Sequence, residues 1–392
     1  MTGEAYHNPT INQVRENYRV LDEGDFVVPK GIRLISHEEY ANDGEALVEY
    51  IAPNGLTKLF RWCRPLFAML YAMQMLFAAD KNTVIIANGG SGWLWLMLGW
   101  LNRCVFFRRR TLYLWDVFVE YMLGSEKPLK FFPFLKVSTR RKESMARHAM
   151  IGYDLIVKWS RKQAAAHAGY YRLPPEKFIF LPYKSNHSNQ ARFSRENLCR
   201  VSLGRFVFAG GNGKRDYKCL VDAVRDTDIP VIISATDPVV RKQIELLPNI
   251  ILLGAPEPAF AQLQSICYLA VIPMIDSGLK GGGEANFCNI MWHSRPIIAC
   301  CNMAAEDYII EGETGFVVPS GDSQLLRQRI LELWNDPQLA EQMGIKGHQH
   351  VADHFTHDLF IRRLLRLALL LGVTKQSDKN KEPEVYFAGE KK

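Results

Sequence analysis

Three stretches of this 392-residue chain combine residue types suited to phosphate and hydroxyl groups. In "FAGGNGKRDYK" (208–218), Gly210, Gly211 and Gly213 offer bare backbone beside Lys214, Arg215 and Lys218. Amide dipoles joined to a cation are what a diphosphate needs. The spacing is neither G-x-G-x-x-G nor G-x-x-x-x-G-K-[ST], which argues against a dinucleotide fingerprint and a P-loop. In "IDSGLKGGGEANFCNIMWHSRPIIAC" (275–300), Gly282, Gly283 and Ala285 stand at the mouth of a helix, where unpaired N–H groups attract anions. Glu284, Asn286 and Asn289 can bond the hydroxyls of a sugar or a ribose there. The third stretch sets Gly89, Gly90 and Gly92 between "TVIIAN" and an apolar helix, bordering a second binding cleft. The plainer alternatives are a glycine turn with surface cations, a loop with a capping carboxylate, and a turn without a ligand. Asp116, after the strand-like "RTLYLW", either orients a reacting hydroxyl and takes its proton or caps the next helix. The ten histidines show no spacing such as H-E-x-x-H, so no metal is implied; His187 and His293 read as structural.

These loops need strands to carry them, and apolar runs alternate with amphipathic stretches as in an α/β protein with parallel sheets. In the first half "NTVIIANGG", "RTLYLWDVF", "YDLIVKWS" and "KFIFLPY" make about four strands, with helices over "SGWLWLMLGWLNR", "KESMARHAM" and "RKQAAAHAGYY". The polar "KSNHSNQARFSRENLCR" (184–200) reads as a linker, after which the rhythm restarts with "RFVFAGG" and runs to the helix "HDLFIRRLLRLALLLGV". The expected division is 1–189, 190–372 and a disordered tail over 373–392. Ligands of such sheets bind outside the carboxyl ends of strands, where all three glycine stretches fall.

With 48% apolar and 11% aromatic residues, the chain can build two ordinary cores. Eight cysteines without a C-x-x-C pair suit reduced thiols in a cytosolic protein. The N-terminus shows no apolar signal-peptide core, and the apolar run at 65–79 is shorter than the roughly 20 residues a spanning helix needs. Charge is uneven. Residues 57–189 hold 21 basic and 7 acidic side chains, so +14 sits there, while the whole chain carries +7. "RCVFFRRR" (103–110) and "KPLKFFPFLKVSTRRK" (127–142) mix cations with phenylalanine, a composition suited to an anionic membrane surface. The plainer reading is a solvated basic face. No nucleic-acid motif accompanies the charge, so a nucleic-acid partner is not expected.

From Gly282 to about Val351 the chain resembles the group 1 retaining glycosyltransferases of GT-B fold. The matching stretches are "CNIMWHSRPIIAC", "EDYIIEGETGFVVPSGD" and "DPQLAEQMGIKG"; "GGNGKRDYKCLVDAV" is similar to the family's phosphate loop, with Arg215 at its lysine. "DLIVKWSRKQAAAHAGYYRLPPEKFIFLPY" (154–183) is similar to the end of its first domain. The resemblance implies two Rossmann-like α/β domains facing each other across a cleft. It also implies a sugar moved with retention from a nucleotide-sugar donor to a lipid-linked or saccharide acceptor, and the +14 segment with its phenylalanines sets that acceptor at the inner face of a membrane. No cofactor or metal is implied. Arg215, Glu284 and Asp116 become the catalytic candidates. Gly210, Gly211, Lys218, Gly254, Ala255, Gly282, Gly283, Ala285, Asn286 and Asn289 become donor-binding, and Gly89 and Gly90 lie on the acceptor side. The chain departs from the family where its E-x7-E pair falls on Gly281 and Asn289, where Trp115 precedes Asp116 instead of histidine, and in residues 1–80, which lack the usual opening strand with its glycine loop. A non-catalytic GT-B scaffold or partner subunit, and a sugar-nucleotide epimerase, are the alternatives.

Overall fold

The apolar runs become short strands, and their burial follows from their place in two parallel sheets. The structure, a computed structural model, describes residues 8–23, 29, 31–38, 48–107, 110–115, 139–189, 204–242, 244–276, 278–279 and 281–380. It has two units. The first comprises Met1–Val157, Tyr171–Ile179 and Arg362–Lys392, the second Lys158–Tyr170 and Phe180–Ile361.

The first unit holds β1 (Arg33–Ser36), β2 (Val48–Tyr50), β3 (Thr83–Asn88), β4 (Thr111–Trp115), β5 (Leu155–Lys158) and β6 (Phe178–Phe180). Their order is β2-β1-β3-β4-β5-β6. The pairings of β1 with β2 and β3, of β3 with β4 and of β4 with β5 are parallel. Every residue of β4 and β5 is buried, which is why "TLYLW" and "LIVK" show no polar alternation. The expectation of four strands with no opening strand is corrected here. "RLIS" and "VEY" are strands too, but they are only four and three residues long, too short for a periodic signal. His37 and Glu38 directly follow β1, and 39–47 lie outside the described residues.

The second unit holds β7 (Val207–Gly210), β8 (Val231–Ser234), β9 (Ile250–Leu253), β10 (Leu269–Ile272), β11 (Ile297–Cys300) and β12 (Phe316–Val318). The order is β12-β11-β10-β7-β8-β9, and the pairs are parallel. Phe208, Ile233, Ile272, Phe287 and Ile298 lie in one buried core.

The boundary differs from the expected one at 189. Residues 158–170 and 180–189 belong with the second unit, and 362–392 return to the first. The packing of 181–189 explains the first difference, since the Ser185 N–H donates to the Phe355 carbonyl at 2.7 Å. The last helix spans His357–Asn380, so 373–380 are helical where a disordered tail was expected; 381–392 lie outside the described residues. Arg363 brings this helix back to the first unit. Its guanidinium is buried against Asp22, donating at 2.6 and 2.5 Å, and Arg366 donates to the Leu21 carbonyl at 2.6 Å.

Candidate functional site

The second sheet reverses its strand order between β7 and β10, and loops diverging at such a point leave room for a ligand. Both glycine loops of the second half meet there. β7 ends at Gly210, where a Cβ would stand 2.6 Å from the Phe260 ring. Gly211 follows at φ +115°, a backbone conformation that favours glycine. The loop is tied to the end of β10. The Asp216 N–H donates to the Pro273 carbonyl at 2.6 Å, and the Ile275 N–H to the Lys214 carbonyl at 3.0 Å. The Asp216 carboxylate then caps the helix Tyr217–Val224 by accepting from the Cys219 N–H at 3.0 Å.

Arg215 turns back over this loop. Its Nε donates to the Gly210 carbonyl at 3.0 Å and its Nη1 to the Gly213 carbonyl at 2.7 Å. Lys218 is directed elsewhere, on the solvent face of the following helix, with Nζ 2.5 Å from Asp222 and 81% of its side chain exposed. Of the catalytic and donor-binding cations expected here, Arg215 folds back over the loop and Lys218 does not.

On the other side of the switch point, Gly283 adopts φ +94° and starts the helix Glu284–Trp292. A Cβ on Gly283 would stand 2.8 Å from the Phe287 ring, so close packing as well as backbone conformation demands glycine. Glu284 is buried. Burial pushes its carboxyl up to about 7, while its own N–H, the charge of Arg215 and the Gly282 N–H draw it down. Arg215 and Glu284 therefore share one electrostatic environment although they come from separate loops. An oxygen of Glu284 stands 2.6 Å from the point a Cβ on Gly281 would occupy. The carboxyl missing from position 281 is thus replaced in space by one from position 284. Ala285 is half-buried in the first turn of this helix.

Three residues without any local signature complete this neighbourhood. Asn302 Nδ2 donates to the Gly282 carbonyl at 2.8 Å. Buried Gln163 has its Oε1 3.5 Å from the same Gly281 point. Burial pushes buried His167 down to about 3, so it is neutral, and its Nε2 bonds the Leu279 carbonyl at 2.8 Å. Gln163 and His167 lie on the helix Arg161–Tyr171, whose alanine-rich sequence gave no hint of them.

The remaining expected residues lie apart from this cluster or differ from expectation. Asn289 is buried, and its Oδ1 accepts from Ser185 Oγ at 3.1 Å, the Asn186 N–H at 2.8 Å and the His187 N–H at 3.3 Å. Its carbonyl oxygen holds the 185–187 backbone rather than facing a ribose. Asn286 Oδ1 accepts from buried Gln264 at 3.0 Å. Gly254 and Ala255 follow edge strand β9, with the Ala255 N–H donating to Ser234 Oγ at 3.3 Å. Gly89 and Gly90 form a 3-10 turn after β3 in the first unit, Gly89 buried and Gly90 exposed. Asp116 lies outside the described residues. His187 and His293 pair at 2.9 Å between ring nitrogens in the second unit's interior.

No family model matches the chain. It is 34% identical over 174 residues to the D-rhamnosyltransferase WbpZ of Pseudomonas aeruginosa, covering 40% of this chain and 43% of that protein. It is 26% identical over 207 residues to the O-antigen chain mannosyltransferase C of Escherichia coli, covering 49% of this chain and 54% of that one. The chain thus spans about half the length of these relatives. Among solved structures, HepE of Anabaena in complex with UDP and glucose superposes with a TM-score of 0.52 at 14% identity, covering 88% of this chain and 98% of that one. By fold this chain is a GT-B protein, and over part of its length its sequence is similar to glycosyltransferases.

Proposed function

We propose that this protein is a glycosyltransferase that moves a sugar, with retention, from a nucleotide-sugar donor to a saccharide or lipid-linked acceptor in polysaccharide biosynthesis. The observation that carries the reading is the buried Glu284 carboxyl at the β7/β10 switch point, which feels the charge of Arg215 and fills the space next to Gly281. The sequence similarity to a rhamnosyltransferase and an O-antigen mannosyltransferase supports it.

Glycosyl transfer develops positive charge on the sugar and negative charge on the leaving diphosphate, so preorganised donors aimed at the diphosphate give the largest help. Arg215 and the amides at the start of the helix Glu284–Trp292 take that role, and Glu284 takes a hydroxyl of the donor sugar. The departing phosphate oxygen accepts the acceptor's proton, so no protein nucleophile enters. Metal and other cofactors have no part in this reading.

The acceptor is delivered at a membrane. Among the described residues no helix is long and apolar enough to cross one. Leu56, Leu59 and Trp62 are at least 60% exposed beside exposed Lys58, Arg61 and Arg64, a grouping suited to peripheral attachment. Exposed Phe107, near Arg103 and Arg110, belongs to the basic segment marked in the sequence; 127–138 lie outside the described residues.

Calorimetry with UDP-, GDP- and ADP-sugars, followed by a transfer assay with the donor that binds, tests the reading. At least one donor should bind, and Arg215→Ala should slow transfer more than about a hundredfold. Absence of binding to every donor would favour a non-catalytic scaffold, and near-normal turnover by the variant would remove Arg215 from the chemistry.

A further inference from the structure

The first sheet has its own switch point, between β1 and β3, and side chains gather there that the donor reading leaves unused. Ser36 at the end of β1 pairs with Ile86, so two residues further on Glu38 comes opposite Asn88. Asn88 Nδ2 donates to both Glu38 carboxylate oxygens, at 3.0 and 3.2 Å. The amide is held in that sense because its Oδ1 accepts from the Gly90 N–H at 2.7 Å. The backbone under the carboxylate is fixed as well, the Glu38 N–H donating to Ser36 Oγ at 3.1 Å and that hydroxyl to the Ile86 carbonyl at 3.2 Å.

Beside this braced carboxylate lies His37, whose side chain is 8% exposed while that of Glu38 is 37% exposed. Neither ring nitrogen of His37 completes a well-formed hydrogen bond, though the Ile86 backbone lies close enough to favour its protonated form, and Nε2 stands 3.7 Å from Glu38 Oε1. A buried polar group so poorly satisfied calls for an explanation, and a ligand group is one. Burial pushes His37 down to about 4, leaving a neutral imidazole with one donor and one acceptor nitrogen.

The chemistry of the set selects the ligand. A phosphate is opposed by Glu38. A metal ion would need more ligating groups, and among the described residues no cluster of three exists. A polyol, whose hydroxyls both donate and accept, matches a carboxylate, a carboxamide and a neutral imidazole together. We propose that Glu38, braced by Asn88 and flanked by His37, binds hydroxyls of a saccharide at the β1/β3 switch point. That this saccharide is the acceptor rests on the glycosyltransferase reading; that it binds does not.

NMR titration of the full chain with the methyl glycosides of mannose, rhamnose, glucose and N-acetylglucosamine tests the site. At least one should bind, and Glu38→Gln should weaken it about tenfold or more, the scale of losing a hydrogen bond to a charged group. Asn88→Ala should weaken the same glycoside through loss of the brace, and it provides the test if the first variant does not fold. Failure of all four glycosides to bind the wild type, or unchanged affinity in a folded variant, overturns the site. Donor calorimetry is read separately: glycoside binding without any nucleotide-sugar binding would sink the transfer reading and leave this site standing.

Discussion

Glu284 concentrates the residue-scale argument, because its identity was legible in "GGGEANFCN" and its state was not. Burial raises its folded pKa from 4.5 to about 7. Between those values the folded protein binds more protons than the unfolded chain, so this group's contribution to stability falls as pH rises through the window and is constant above it. Glu284→Gln has no such titration. Relative to the wild type, the variant should gain stability between pH 5 and pH 8, by up to about 3 kcal/mol at roughly 1.4 kcal/mol per unit. Urea unfolding of both proteins at the two pH values measures it, and an equal difference at both would mean that the carboxyl titrates as if exposed.

At the scale of elements, the helix Glu284–Trp292 separates two roles that its sequence made look alike. Glu284 and Asn289 both appeared to face hydroxyls, yet their positions on the helix send them to different surroundings. Glu284, in the first turn, folds back beside Gly281 and feels the charge of Arg215. Asn289, further along, meets the turn at 185–187 and gives it one shared acceptor. Asn289→Ala would leave buried donors without a partner, at about 1–3 kcal/mol each. The melting temperature should fall while nucleotide-sugar affinity is kept. The reverse pattern, an unchanged melting temperature with lost affinity, would return Asn289 to the ribose. The loop glycines were readable because their reasons are local: Gly211 and Gly283 take φ of +115° and +94°. Gln163, His167 and Asn302 were not, since only contacts distant in sequence bring them to Gly281, Leu279 and Gly282.

At the scale of the whole molecule, net charge and exposed apolar residues bear on where the protein works. The sequence marked 103–110 and 127–142, while folding adds the exposed Leu56, Leu59 and Trp62 with Lys58 and Arg61. The protein should co-sediment with anionic vesicles at low salt and less so at high salt. Reversing Lys58 and Arg61 to Glu should reduce partitioning at least about tenfold, given roughly 1 kcal/mol per cation. A wild type that stays in the supernatant at low salt refutes membrane attachment.

The sequence by itself determined the α/β class, most of the strands and the two glycine loops of the second half, because apolar periodicity and glycine placement are local properties. The tertiary structure alone decided what long-range packing controls. It placed β1 and β2, strands too short for a periodic signal, in the first sheet. It returned the last helix to the first unit through Arg363 and Asp22, at opposite ends of the chain. It turned Lys218 to solvent and Asn289 inward, and it set the Glu284 carboxyl beside Gly281, a substitution in space that no linear comparison of motifs can show.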